Sequence, residues 1–491
     1  MIAFIYALFW LPFVGSLFIL GSVFTDGAFN LPIVSGLSEL SLLSLSLTFD
    51  TLSAVMLTMI SLLVGVTAQF AFHYLDKQQR RSYFYLNFVG LVSGVFLMIT
   101  ASSLLYILAS WLIQSYFLSK LLTYNKERYQ AQIAVKKKFW VSRVGDSCLL
   151  VSIILLFAGF GTLSFNDLAG VLAESSNQTI YAYFGVFFLC LGALVKAVQF
   201  PFHFWLPETM ETPAPVSAIM HAGIVNAGGF LLIRSSQFLQ HFGSILVFVA
   251  FMGAISAVFG SLVMLTQNDI KKKLAYSTIS QMGMMMFACG VGAFSIALIH
   301  IIAHSLYKAH AFLSTGNLIA ESQLIPFKPK PWKDLHLYFV ATGGTILVGL
   351  AAIFTPSYSF SLCLYGSVIG LGLIQCLRAS YDKPNSNHKI PGLVGLLFLG
   401  GFGFYILIES YLASQAFSFV SVADIADNMA TRYLLASTIL LFLAGFVLNQ
   451  KLIQSRSGFF RRIYHTLLNG AYIGQISSRI LVLNNKGGNH A

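Results

Sequence analysis

The stretch Ile180-Tyr-Ala-Tyr-Phe-Gly-Val-Phe-Phe-Leu-Cys-Leu-Gly-Ala-Leu-Val-Lys196-Ala-Val-Gln-Phe-Pro201-Phe-His-Phe-Trp205 decides how the rest of the chain is read. It is apolar enough to lie in lipid, yet it carries one lysine and then a proline. An ionisable residue inside a span is costly and marks a functional position. A proline at membrane depth marks a broken helix, tolerated only where protein or a water-filled cavity satisfies the freed backbone groups. Lys196 therefore reads as a titratable group beside a helix break. The alternative is a lysine whose ammonium snorkels to the interface.

Working outward, the whole chain is of this kind. Of 491 residues, 57% are hydrophobic and 9% charged, and the mean hydropathy is +0.78. A soluble domain carries about 25% charged residues, so a soluble globular fold is excluded. The expected fold class is an all-α polytopic membrane protein. Apolar runs of span length give about fourteen candidate helices, near 2–24, 51–72, 84–101, 103–123, 143–163, 180–199, 214–235, 243–266, 272–291, 295–319, 335–355, 358–378, 391–413 and 432–449. The first run lacks a basic start and reads as a true span rather than a cleaved signal. Segment 25–50 reads as an outer loop with room for a short hairpin. The five cysteines lie in or beside apolar runs without metal spacing, so neither a zinc site nor a disulfide scaffold is indicated.

The net charge of +12 falls on alternate loops. Lys77, Arg80 and Arg81 occupy one, and Lys126, Arg128 and Lys136 to Lys138 the next but one. Lys271 to Lys273 follow, then Lys328, Lys330 and Lys333, then Arg378, Lys383 and Lys389, then the tail from Lys451. By the positive-inside rule these loops and both termini face the cytoplasm of a cell (inner) membrane. The tail mixes basic and apolar residues and suits an amphipathic helix on that surface. The charge itself requires no nucleic acid.

Other polar residues gather near the lysine. Glu208 and Glu211 stand three apart and can share a helical face, and Pro213 and Pro215 open the next span. His221 follows within that span, either as a proton relay or as a packed histidine bonded to a neighbouring helix. His300, His304 and Lys308 are spaced i, i+4, i+8 and line one face of one helix. That file suits proton hopping; zinc would want further ligands, and structural hydrogen bonding is the remaining reading. Asp269 precedes the triple lysine at a helix start, as a charged cap or a conduction residue. Arg143 and Asp146 are three apart at the head of a span, where a local ion pair is expected. No phosphate loop, dinucleotide fingerprint or nucleophile elbow is present, so the chain is read as a transporter subunit rather than an enzyme.

Several motifs, in order, carry a family resemblance: Val141-Ser-Arg-Val-Gly-Asp146, Lys196-Ala-Val-Gln-Phe-Pro201, Thr212-Pro-Ala-Pro-Val-Ser-Ala218, Asp269-Ile-Lys-Lys-Lys-Leu-Ala-Tyr-Ser-Thr-Ile-Ser-Gln281 and His304-Ser-Leu-Tyr-Lys308. Across about residues 50–320 the chain resembles the antiporter-like membrane subunits shared by respiratory complex I and multisubunit cation/proton antiporters. Phe200-Pro-Phe-His-Phe-Trp-Leu-Pro-Glu-Thr-Met-Glu-Thr-Pro213 and His221-Ala-Gly-Ile-Val-Asn-Ala-Gly-Gly229 are similar to its DabB (MpsA) branch. That branch supplies the membrane subunits of two-part inorganic-carbon uptake systems, and the short length after the core suits it. The resemblance implies inverted five-helix repeats, at 84–235 and 236–378, between N-terminal helices 1–83 and a C-terminal part 379–491. It implies a proton pathway through Lys196, His221, His300, His304 and Lys308, supported by Arg143, Asp146, Glu208, Glu211 and Asp269. It implies proton or sodium conduction that energises CO2/bicarbonate uptake, or alternatively a subunit of a cation/proton antiporter or complex I-like pump. It implies no cofactor in this chain, and a peripheral DabA-like partner, similar to a zinc carbonic anhydrase, on the cytoplasmic side. The family usually places a glutamate, the expected partner of the central lysine, just after the tryptophan matching Trp111. Here that position is Leu112. The family's lysine on a later helix is absent from 335–355, so output through a second half-channel needs another route.

Overall fold

Transmembrane helices form wherever the apolar runs are long enough, because in lipid each backbone polar group must find its partner within the segment or a closed neighbour. A computed structural model describes residues 2–34, 45–75, 80–125, 127–174, 179–315, 368, 429–454 and 457–481. Helix α1 spans Ile2–Asp26 and is followed by an antiparallel hairpin, β1 Phe29–Val34 and β2 Leu45–Phe49. Next come α2 Thr51–Tyr74, α3 Arg81–Ile99, α4 Leu104–Leu122, α5 Tyr129–Phe160, the short α6 Phe165–Glu174 and α7 Ile180–Lys196. Helices α8 Ala214–Ala222, α9 Ala227–Arg234, α10 Ser236–Leu239, α11 Gly243–Thr266, α12 Ile270–Gly290 and α13 Phe294–Leu313 complete the main body. After residue 428 follow α14 Met429–Gln454, α15 Gly458–Leu468 and α16 Ile473–Leu481. Among the described residues nine helices or helix pairs are long and apolar enough to cross a membrane. The all-α polytopic class and the hairpin in 25–50 match the sequence reading. The spans at 335–355, 358–378 and 391–413 lie outside the described residues except for Val368, as does the boundary at 378.

Helices α11 and α12 pack along their length, as do α5 with α7, α1 with α2 and α3 with α4. Small residues allow the α11–α12 approach. A methyl group on Gly253 or Gly283 would run into the other helix's backbone, the small-residue contact by which membrane helices close together.

One boundary is corrected. The segment 124–142 was expected to be a basic loop, but α5 already begins at Tyr129 and runs for 32 residues. Helical periodicity then splits the lysine triplet, leaving Lys136 exposed while Lys137 and Lys138 are 1% and 2% exposed.

The helix break at Lys196 is present. Helix α7 ends there, Val198 takes a left-handed φ of 58°, and Phe200–Pro201 is a cis peptide. The freed backbone finds partners, as membrane depth requires. Gln199 N–H donates to the Leu194 carbonyl at 3.1 Å, and Phe200 N–H donates to Ser256 Oγ of α11 at 3.0 Å. A second break, not foreseen, divides the span 214–235. Helix α8 ends at Ala222, a 3-10 turn covers Ile224–Asn226, and α9 resumes at Ala227. Asn226 Nδ2 ties the turn to the Ala222 carbonyl and to Ser305 Oγ, both at 2.8 Å.

Candidate functional site

The residues anticipated from sequence gather in two buried groups and one surface group. The first lies where α4, α5 and α7 meet. Lys196 Nζ stands 2.7 Å from Asp146 Oδ1, and Asp146 Oδ2 stands 2.7 Å from Arg143 Nη2. The Lys196 ammonium also sits over the Trp111 ring, 4.8 Å from its centroid, a favourable cation–π contact. The expected Arg143–Asp146 pair is there, and Asp146 also pairs with Lys196. Position 112 does not take that part. The Leu112 side chain is 40% exposed on the outside of α4, one step round the helix from Trp111, which points inward.

The second group lies between α8, α12 and α13. His221 Nδ1 and Thr278 Oγ1 are 3.0 Å apart, and the imidazole stacks on Phe312 with 4.2 Å between ring centroids. Thr278 Oγ1 donates to the Leu274 carbonyl at 3.0 Å. Lys308 Nζ donates to that same carbonyl at 2.8 Å and to Ser277 Oγ at 2.9 Å. His304 and His300 continue one helical face from Lys308, their rings stacked with centroids 6.1 Å apart. Both Nε2 atoms are buried without a protein hydrogen-bond partner. A buried ring nitrogen in that condition can exchange a proton with water that reaches it.

Glu208 and Glu211 belong elsewhere. They sit on the 3-10 turn Leu206–Glu211, which kinks at Thr209 between them. Each meets a base from the start of α5 or the segment before it, Glu208 with Lys137 at 2.5 Å and Glu211 with Arg128. Burial pushes the Glu208 carboxyl above the usual carboxylate range, and the Lys137 ammonium works against that. Lys137 also donates to the Gly474 carbonyl of the tail at 2.8 Å, and Gln267 Nε2 holds the Leu468 carbonyl at 3.1 Å. The tail thus closes over a cavity of about 250 Å³ lined by His203, Glu208, Gln267, Lys272, Tyr276 and Gly470, among others. Asp269 takes the capping reading: its carboxylate accepts the Lys272 N–H at 2.9 Å.

Two features escaped the sequence reading. Lys138 was counted as a loop charge. It is enclosed by the Ser115 carbonyl and hydroxyl and by Ser119 Oγ at 2.6, 2.8 and 3.1 Å. A helical phase for residues 129–142 would have found it. Asp50 and Arg234 form a buried ion pair at the opposite end of the bundle, 6% and 7% exposed at the side chain. They stand at the first and last turns of two apolar runs, where each alone reads as an interfacial charge.

With this geometry in view, comparison with known proteins identifies the architecture. Residues 101–328 match the family described as NADH:quinone oxidoreductase/Mrp antiporter, TM. The matched residues make up just under half of the chain. It is 36% identical over 323 residues to "Probable inorganic carbon transporter subunit DabB1" of Halothiobacillus neapolitanus, covering 64% of this chain and 57% of that one. It is 34% identical over 330 residues to the protein named DabB of Hydrogenovibrio crunogenus, covering 62% and 63%. It is 32% identical over 373 residues to "NAD(P)H-quinone oxidoreductase subunit 5, chloroplastic" of Zygnema circumcarinatum, covering 73% and 51%. The chain therefore spans about three-fifths of the length of its DabB relatives. In fold it is similar to a solved Mrp complex from Dietzia, with a TM-score of 0.65 at 20% identity over 97% of this chain and 56% of that one. The resemblance to antiporter-like subunits and to DabB is thus matched by independent comparison, and the protein is a multi-pass membrane protein.

Proposed function

We propose that this chain is the cation-conducting membrane subunit of an inorganic-carbon uptake system. Protons, or sodium, would move inward through it and energise capture of CO2 as bicarbonate by a DabA-like zinc protein on the cytoplasmic side. The observation that carries the reading is Lys196, which meets its carboxylate Asp146 at the point where α7 breaks. A lysine so placed, paired inside the protein rather than at the lipid–water interface, can change protonation as water reaches the break. The relatives named as inorganic carbon transporter subunits supply the substrate class.

Zinc and carbon chemistry would then reside in the partner, and both termini would face the cytoplasm of a cell (inner) membrane. The alternative is a subunit of a cation/proton antiporter or complex I-like pump, favoured by the quinone oxidoreductase relative. Affinity purification of the tagged chain from native membranes separates the two. A large zinc protein should accompany it, and cells making both should take up labelled bicarbonate in a protonophore-sensitive way. Co-purification with quinone-reductase or antiporter subunits instead would replace this reading by the alternative.

A further inference from the structure

The α4–α5 group holds more positive charge than its one carboxylate can balance. Lys138 Nζ is bound by three neutral oxygens of Ser115 and Ser119. Ser115 Oγ also accepts from Arg143 Nη2 at 3.5 Å. Arg143 meets Asp146, and Asp146 meets Lys196, each at 2.7 Å. Polar contacts therefore run from Lys138 through Ser115, Arg143 and Asp146 to Lys196, with no link longer than 3.5 Å. Among the described residues Asp146 is the one carboxylate on this line. Three cations against one anion leave a formal surplus of two positive charges, with Lys138 2% and the Lys196 side chain 13% exposed while the Arg143 side chain is 36% exposed.

A buried surplus of like charge is expensive. Arginine keeps its proton at any working pH, whereas a buried lysine can release one. The surplus is therefore relieved at Lys138 or at Lys196. The two lie apart along the path. Lys138 is eight residues before Asp146 on α5, about 12 Å at the helical rise per residue, towards the end of the bundle where Arg128 meets Glu211 and Lys137 meets Glu208.

We propose that Lys138 is a second proton-exchanging residue of this path, alternating with Lys196 so that the pair holds one exchangeable proton at a time. Lys138 gives its proton to water at its own end and Lys196 takes one from water at the α7 break, so the two are coupled through charge across Arg143 and Asp146. The cluster's total charge stays constant while the charge moves about two turns of helix. Ser115 takes the Lys138 proton on its hydroxyl and passes its own to water at that end of the bundle, because Arg143, already fully protonated, cannot accept it. Arg143 and Asp146 hold their charges and keep the ends in register. The proposal rests on the conduction reading above, and it supplies the coupling group that position 112 does not.

The test measures proton flux, by an internal pH dye, in proteoliposomes containing the full chain with whatever partner co-purifies. Lys138→Met and Lys138→Arg are compared with the unaltered protein and with Lys196→Ala. Both Lys138 variants should lose flux at least tenfold while still co-purifying with the partner and eluting as a single species. Full flux in Lys138→Arg would show that a fixed charge suffices and would overturn the proposal, as would full flux in Lys138→Met. Should neither variant fold, Ser115→Ala leaves Lys138 its carbonyl and Ser119 contacts. It should slow flux several-fold, and unchanged flux there would equally refute the relay. Absence of Lys196-dependent flux in the unaltered protein would instead overturn the conduction reading, and this inference with it.

Discussion

Asp146 is the residue on which the site turns. It neutralises one end of Lys196 and one end of Arg143 at 2.7 Å each, and removing one partner of a buried pair leaves an uncompensated charge costing about 3–5 kcal/mol. Asp146→Asn should therefore reduce uptake at least tenfold, and membranes carrying the variant should show lower protein levels by immunoblot. Normal uptake would mean that Lys196 does not need this carboxylate. Asp50 offers a contrast in which stability and conduction separate. Its side chain caps α2 by accepting the Ser53 N–H at 2.8 Å and also pairs with Arg234. Asp50→Asn keeps a capping oxygen but loses the charge. It should lower the thermal stability of the purified protein while leaving Lys196-dependent flux per folded molecule unchanged. Most of these residues were visible in the sequence because a charge in an apolar run stands out. Their pairing was not, because Asp146 and Lys196 are fifty residues apart on different helices and only packing joins α5 to α7. Lys138 stayed hidden for a different reason: a run of three lysines has the same composition whether it sits in a loop or on a buried helix face.

The elements depend on how the two breaks are satisfied. Pro201 announced the first, whereas the second, at Ala222 to Ala227, carries no proline and was read as continuous helix. Its turn is held by Asn226, through the Ala222 carbonyl and Ser305, and that asparagine and Gly223, which caps α8, were its local signs. At the first break, Ser256 Oγ accepts the Phe200 N–H at 3.0 Å. Ser256→Ala would leave that donor without its partner at a cost of about 1–3 kcal/mol. Lower thermal stability of the purified variant is expected, and unchanged stability would mean that water takes over the contact. The α11–α12 contact is less forgiving. Gly283 faces the Ala257 and Gly253 backbone, so Gly283→Val should prevent accumulation of folded protein in membranes, whereas the same change at Gly170, with open space beside it, should be silent.

Across the whole molecule, charge and contacts agree on two distinct ends. One gathers Arg128 with Glu211, Lys137 with Glu208, Lys271 against the Met210 carbonyl, and the tail. The other gathers the hairpin and the Asp50–Arg234 pair. By the positive-inside rule the first end is expected in the cytoplasm, so reporter fusions after residues 80 and 270 should both report the inside, and an outside signal at 270 would break that expectation. The tail was expected to lie on the membrane surface; it also packs on the bundle, α16 against α5, which no amphipathic pattern by itself could say. The central claim is that Lys196 cycles a proton beside the α7 break, and Lys196→Arg tests it most directly, since arginine preserves the charge but cannot release the proton. In cells making the full system, labelled bicarbonate uptake should fall to the level of Lys196→Ala while the partner still co-purifies. Uptake by Lys196→Arg equal to that of the unaltered protein would contradict the account.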